Sequence, residues 1–284
     1  SGLLAQLADR FGIEVSTVDT GRPGAISAAA GPATRLVYVE TLSNPLVRVT
    51  DLPRAATEAH DAGTLLVVDN TFASPVLCRP IEHGADIVVH SLTKYIGGHS
   101  DLIAGAAVFA DAEVGRRCAD WQATEGAVAD PFACWLTLRG IKTLPLRIRH
   151  AAASADAIAR MAAAHPGVST VHWPGLPGHP DHEIAARIAS PPGGVLGIDV
   201  DGGMAAADRF QRAVRVAVLS GSLGGPETLV LHPATTSHRN ATPAELRQAG
   251  IGAGTVRIAV GLEETADIVA DIEQALDCAV AMVR

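Results

Sequence analysis

LLVVDNTF (Leu65–Phe72) and, a little further on, DIVVHSLTKYIGGHSD (Asp86–Asp101) are the stretches on which the reading of this chain turns. In the first, an apolar, β-rich run ends on an acid, Asp69. In the second, Ile87-Val88-Val89-His90 runs into two hydroxyls and an amine, Ser91, Thr93 and Lys94. Short, continuous apolar runs of this kind belong to strands covered on both faces. Two such strands would deliver one carboxylate, two short hydroxyls and one amine to a common sheet edge. In open α/β sheets ligands bind beyond the carboxyl ends of the strands, so that edge is the expected site.

On either side of these stretches, helix and strand patterns alternate from Leu3 to Ala110. Ile13–Val18, Arg35–Glu40, Leu65–Val68, Ile87–Val89 and Ala106–Phe109 read as strands. A helix opened by Thr50 or Asp51, with Pro53 in its first turn, ends before Gly63. The alternation implies an α/β domain with a wound, mostly parallel sheet. Residues from about 113 to 164 are helical in period, broken near Asp130-Pro131 and around Pro145. Beyond them Val168–His172, Val195–Val200, Val214–Leu219, Leu229–Leu231 and Val256–Val260 read as strands. Helices are expected between them near 181–189, 204–213 and 243–249, with an amphipathic one at 265–280 to close the chain. This divides the chain into a large domain, 1–149, and a smaller C-terminal α+β domain, 150–284. The opening Ser1-Gly2-Leu3 already lies in a helical pattern, with Leu3, Leu4, Leu7 and Phe11 on one face. The expectation is that an N-terminal segment of the polypeptide precedes it.

With 48% hydrophobic and 18% charged residues, the composition is that of an ordinary globular protein. A net charge of -8 argues against nucleic acid as a partner. The longest basic cluster, Arg147–His150, falls in a helical pattern and reads as a solvated or interface face. No apolar run approaches the ~18 residues that span a bilayer. Cys78, Cys118, Cys134 and Cys278 are scattered without metal-ligand spacing and read as free thiols of a reducing compartment, the cytoplasm. Cys118 and Cys134 are expected to be packing thiols, and Trp121 and Trp135 core or interface aromatics. His90, His99 and the His179-Pro180-Asp181-His182 cluster lack ligand spacing on one face, so no metal site is expected.

Lysine is a nucleophile only when neutral, a state that burial and a nearby cation favour. Lys94, placed after an apolar strand, could condense with an aldehyde. Ser91 and Thr93 with adjacent backbone N–H groups suit a phosphate. Asp69 could keep a pyridine nitrogen protonated, the protein's usual contribution to pyridoxal phosphate chemistry. Arg257, on a strand, offers a planar fork for a substrate carboxylate. Each of these alone is an ordinary turn, cap or ion-pair residue; their conjunction points to the chemistry.

Several blocks in one order strengthen it: Glu40-Thr41-Leu42-Ser43-Asn44-Pro45, Val68-Asp69-Asn70-Thr71-Phe72, His90 to His99, and Arg139-Gly140-Ile141-Lys142-Thr143-Leu144. To these are added Ser222-Leu223-Gly224-Gly225, Glu227-Thr228-Leu229, His232-Pro233-Ala234, and Arg257 to Glu263. Through these blocks the chain resembles the Cys/Met-metabolism (trans-sulfuration) family of pyridoxal-phosphate enzymes along nearly its whole length. That family includes cystathionine γ-lyase, methionine γ-lyase, cystathionine γ-synthase and the O-acylhomoserine sulfhydrylases.

The resemblance implies an aspartate-aminotransferase-like fold (pyridoxal-phosphate fold type I) and homotetramers built from dimers with shared active sites. It implies Lys94 as the Schiff-base lysine, Asp69 as the pyridinium partner, and Ser91 and Thr93 as phosphate ligands. Asn44 would lie near the cofactor's 3-hydroxyl and the substrate carboxylate, with Ser222 and Arg257 as the carboxylate clamp. Family members also draw a Tyr and an Arg, a Gly-rich phosphate turn and a ring-stacking Tyr from a region that would precede Ser1. The favoured function is a C–S γ-lyase acting on cystathionine or methionine. The alternatives are γ-replacement, as in a cystathionine γ-synthase or sulfhydrylase, and, from another class, a catalytically silent effector-binding domain of the same fold.

Overall fold

The computed structural model describes residues 2–189 and 191–281. Its first sheet consists of β1 (Leu36–Glu40), β2 (Leu65–Asp69), β3 (Ile87–Ser91) and β4 (Gly105–Phe109), neighbours in that order. β1–β2 and β2–β3 pair in parallel, while β4 runs antiparallel to β3. The wound, mostly parallel sheet expected from the buried apolar runs is therefore present, with one antiparallel edge. In register, Glu40 lies opposite Asp69, so the carboxyl ends of β1 and β2 are level.

The helices before and around this sheet are α1 (Gly2–Phe11), α2 (Ala25–Ala29), α3 (Leu52–Asp61) and α4 (Ser74–Leu77). α3 illustrates how local chemistry sets an element. The Asp51 carboxylate accepts the Arg54 N–H at 3.4 Å, and Pro53 occupies the first turn. Leu52, Ala55, Ala56 and Ala59 then form the buried stripe, and Gly63, at φ +71°, follows its end. α5 (Ala112–Glu125), α6 (Pro131–Gly140) and α7 (Leu144–Ala164) follow, interrupted where Asp130-Pro131 and Pro145 foretold.

The second sheet has the order β5 (Val168–His172), β6 (Val195–Val200), β9 (Thr255–Ala259), β8 (Leu229–Leu231) and β7 (Val218–Leu219). All its pairings are antiparallel except β7–β8. α8 (His182–Ile188), α9 (Gly203–Ala213), α10 (Pro243–Gln248) and α11 (Thr265–Val280) accompany it. Ile268, Ile272, Ala275, Leu276 and Ala279 form the buried stripe of α11. α7 joins the two halves: Leu144 and Ile148 belong to the first core, Ala155, Ile158, Ala159 and Ala162 to the second. Residue 150, where the change in the pattern of elements suggests a division, lies inside this helix.

Some expectations give way. Ile13–Val18 forms no strand; Ile13 and Val15 are exposed while Val18 packs on the edge of the first core, and no neighbouring strand of the described residues takes up its backbone groups. Val214–Leu219 shortens to Val218–Leu219 because the buried Asp271 carboxylate, on α11, accepts the N–H groups of Arg215, Val216 and Ala217 at 2.8–2.9 Å. Cys118 and Cys134 are exposed rather than packed. Trp121 and Trp135 are exposed as well, which removes the core alternative for both. Arg147, read as part of a solvated or interface face, is buried.

Candidate active site

At the carboxyl ends of β1, β2 and β3 a cleft of about 230 Å³ opens between the two sheets. Asn44, Asp69, Ser91, Lys94 and Arg257 line it, with Glu40, Thr71 and the apolar Leu42, Phe72 and Leu223. Residues from both halves of the chain thus meet at one sheet edge. A larger surface cleft of about 460 Å³ lies away from Lys94, between α3 and α8, where Arg187 is already bonded to Asp51 at 3.0 Å.

Lys94 sits in a wide turn, Leu92–Ile96, directly after β3, and its own backbone departs from helical geometry. Its Nζ donates to Ser222 Oγ at 2.9 Å, across a sequence separation of 128 residues. Burial, and then the nearby Arg257 cation, push its pKa down from the ordinary lysine value. Both effects favour the neutral, nucleophilic amine. Gly224, at φ +78°, lets the second loop close on this turn: a Cβ there would stand 2.6 Å from the Tyr95 nitrogen and 2.9 Å from the Lys94 carbonyl carbon.

Asp69, at the end of β2, is held in place on both oxygens. Oδ1 accepts the Thr71 N–H at 2.9 Å and Oδ2 accepts the Tyr38 hydroxyl at 3.0 Å. Thr71 in turn accepts the Ser91 N–H on its hydroxyl at 2.9 Å, which links the ends of β2 and β3. Glu40, level with Asp69, accepts the Asn44 N–H at 3.3 Å; burial, and then the Asp69 charge, raise its pKa.

Arg257 rises from the middle of β9 and is 1% exposed. Its fork donates to Asn44 Oδ1 at 3.0 Å and to the carbonyls of Gly221 and Ser222 at 3.2 and 2.6 Å. Its Nε is buried without a partner, and burial lowers its pKa to about 10. No carboxylate of the described residues pairs with it, so an anionic group brought into the cleft would meet a desolvated cation.

Ser222 joins the cluster through Lys94 and its own carbonyl. Thr93 stands apart: its hydroxyl donates to the Ala104 carbonyl at 3.3 Å and accepts the Ala104 N–H at 3.1 Å, and it does not line the cleft. Tyr38 and Glu40 were not singled out from the sequence. Both lie on one face of β1, spaced two apart, with Glu40 at the strand end, and that periodicity was the available signal. Among the described residues no group of three His, Cys, Asp or Glu gathers as a metal ion would need.

An amine with a lowered pKa, a fixed carboxylate and a serine hydroxyl at one edge, facing an unpaired buried cation, suit a pyridine aldehyde phosphate and an amino-acid carboxylate. A family model described as Cys/Met metabolism PLP-dependent enzyme matches residues 1–277. The chain belongs to that family. It is 45% identical to an L-methionine gamma-lyase of Pseudomonas deceptionensis, covering 94% of this chain and 67% of that protein. It is 42% identical to a cystathionine gamma-synthase of Mycobacterium tuberculosis, covering 96% and 70%. A cystathionine gamma synthase from Xanthomonas oryzae pv. oryzae, solved with aminoacrylate and cysteine, superposes with a TM-score of 0.95 at 40% identity, covering 98% of this chain and 72% of that one. The family's enzymes depend on pyridoxal phosphate, and they include both lyases and synthases.

Proposed function

We propose that this protein is a trans-sulfuration enzyme acting at Cγ of sulfur amino acids or homoserine esters, and that it eliminates a thiol as a cystathionine or methionine γ-lyase. The observation that carries the reading is Lys94: an amine with a lowered pKa, hydrogen-bonded to Ser222 and facing Arg257 in a cleft at the ends of β2 and β3. Pyridoxal phosphate, when bound, supplies the electron sink for breaking C–H bonds beside the amino group. Lys94 would hold it covalently through Nζ, Asp69 would keep a proton on its ring nitrogen, and Ser91 would take its phosphate, with Thr93 reaching that phosphate only on releasing Ala104. Arg257, with Asn44 and Ser222, grips the substrate carboxylate and so orients Cα toward Lys94. Lys94 Nζ, so placed, would be the base for the Cα proton and would carry protons along the substrate toward Cγ.

γ-Replacement, by a cystathionine γ-synthase or sulfhydrylase, is the second reading; the 42% identity to a cystathionine gamma-synthase favours it almost as much. Functional division into a cofactor-binding part, 1–149, and a small C-terminal part, 150–284, fits the two sheets. Assembly as a homotetramer, a dimer of dimers, fits the exposed Trp121, Phe132, Trp135 and Leu138. A cytoplasmic location fits four free cysteines; no helix of the described residues is long and apolar enough to cross a membrane.

The test is a product assay on the full-length protein with pyridoxal phosphate, offering methionine, cystathionine or O-acylhomoserine, without and with a thiol. A 2-oxo acid from methionine or cystathionine alone establishes the lyase. Turnover only of O-acylhomoserine with a thiol establishes replacement. Unchanged turnover in Lys94→Ala removes the mechanism.

A further inference from the structure

The sequence places Arg147 in a basic cluster of the kind found on solvated faces, yet its side chain is buried, 8% exposed, and forms no ion pair among the described residues. Its partners are uncharged oxygens. Nη1 donates to the Tyr95 carbonyl at 2.7 Å, and Nη2 to the carbonyls of Gly140 and Ile96 at 2.8 and 3.4 Å. Nε donates to Thr143 Oγ1 at 3.1 Å. Tyr95 and Ile96 are the two residues after Lys94, in the same turn.

That turn satisfies only part of its own backbone. The Leu92 and Lys94 carbonyls accept the N–H groups of Gly97 and Gly98, both at 2.8 Å. The Tyr95 and Ile96 carbonyls are served by Arg147. Gly140 closes α6, so the guanidinium also caps the negative end of that helix. The close approach is built in on the facing side: at Gly98, φ +72°, a Cβ would overlap the Arg147 guanidinium, and at Gly140 one would overlap the Gly97 carbonyl. α7, which carries Arg147, is itself fixed by Leu144 and Ile148 in the first core. Arg257, not Arg147, is the cation acting on the Lys94 amine. Arg147 is therefore placed to act on Lys94 through the backbone.

We propose that Arg147 is the positioning residue of the Lys94 turn, its planar fork tying the Tyr95, Ile96 and Gly140 carbonyls to α7 so that Lys94 Nζ is aimed into the cleft against Ser222. The proposal rests on the reading of Lys94 as the amine that holds pyridoxal phosphate. Lysine cannot replace the arginine, because an ammonium is a point donor and cannot serve three carbonyls set around a plane. Misplacing a reacting group by about 1 Å costs on the order of 10²-fold.

The experiment uses the full-length protein and its Arg147→Met, Arg147→Lys, Gly98→Ala and Lys94→Ala variants. Each is titrated with pyridoxal phosphate and reduced with borohydride. Label on the peptide carrying Lys94 is counted per folded molecule, with melting temperature recorded in parallel. Lys94→Ala should carry no label at this peptide, and full retention elsewhere with unchanged affinity would overturn the Lys94 reading and the proposal with it. Given labelled wild-type protein, apparent affinity for pyridoxal phosphate should weaken about 10- to 100-fold in both Arg147 variants. Millimolar guanidinium ion should restore Arg147→Met in part and leave Gly98→Ala unrestored, since there the native guanidinium is present but displaced. Gly98→Ala keeps the test open if the Arg147 variants do not fold. Wild-type labelling per folded molecule in these variants, with only the melting temperature lowered, would overturn the positioning role while leaving Lys94 as the cofactor amine.

Discussion

Asn44→Asp should raise thermal stability and KM together, a combination that ordinary structural damage does not produce. Arg257 is 1% exposed and its acceptors are uncharged: the Asn44 amide at 3.0 Å and two carbonyls. A carboxylate at position 44 converts one neutral acceptor into a charged one beside a desolvated cation. The Arg257–Asn44 bond already has a charged donor, a class that contributes about 1.5–3 kcal/mol; charge on both partners makes it stronger still, less the cost of desolvating the new carboxylate. The folded state gains the difference. The substrate carboxylate, if it binds Arg257, must then displace or share the new ion pair. A loss of about 1.5–3 kcal/mol corresponds to KM raised roughly 10- to 150-fold, with kcat lowered as well to the extent that the carboxylate grip orients Cα toward Lys94. Asn44→Ala separates the two effects: KM rises, but stability falls, because the buried guanidinium loses an acceptor. Steady-state kinetics and thermal melts on the same preparations read both quantities. KM within twofold of wild type for Asn44→Asp, with the melting temperature raised, would show that the ion pair formed and that Arg257 does not hold the substrate.

His179 should make the protein acid-sensitive. Burial, only partly opposed by Asp181, lowers its pKa from 6.5 to about 4, and its Nδ1 accepts the Asp181 N–H at 3.1 Å, as a neutral ring does. The unfolded chain therefore binds a proton that the folded one refuses. Stability from this residue is complete above about pH 6.5 and declines toward pH 4, by roughly 3 kcal/mol in all. His179→Asn, which keeps an acceptor but cannot titrate, should flatten that part of a urea-unfolding pH series. Asp271→Ala leaves the Arg215, Val216 and Ala217 N–H groups without their acceptor and should cost about 2–4 kcal/mol in urea unfolding. Trp135→Glu, on the exposed aromatic face with Phe132 stacked 5.7 Å away, should shift the sedimentation coefficient toward smaller species without lowering monomer stability.

Local pattern carried far in this protein. β2 and β3 could be read from their apolar, β-branched runs, and with them the positions of Asp69 and Lys94 at one sheet edge. α11 was legible because its stripe of Ile268, Ile272 and Leu276 repeats at the helical period, and α6 and α7 because proline marks their starts. These signals lie within a few residues of one another, where backbone sterics and side-chain spacing act directly. The family's motif blocks added the expectation that Arg257 and Asn44 would meet.

Other features required the folded chain. The Lys94–Ser222 and Arg257–Asn44 hydrogen bonds join residues 128 and 213 positions apart, and no local rule gives their geometry. Arg147 looks solvated in a helical pattern, but the turn after Lys94 presents carbonyls that only a buried fork satisfies. Thr93 turns from the cleft because Ala104 offers it both a donor and an acceptor. Ile13–Val18 has a strand's composition but no strand beside it to complete its hydrogen bonds, and Val214–Leu219 loses most of its length to the Asp271 carboxylate. Periodicity and chain-end chemistry thus determined which elements form and which side chains reach the sheet edge. Which of those side chains face one another, and with what charge nearby, was decided by packing, because burial and pairing energies depend on groups that the sequence places far apart.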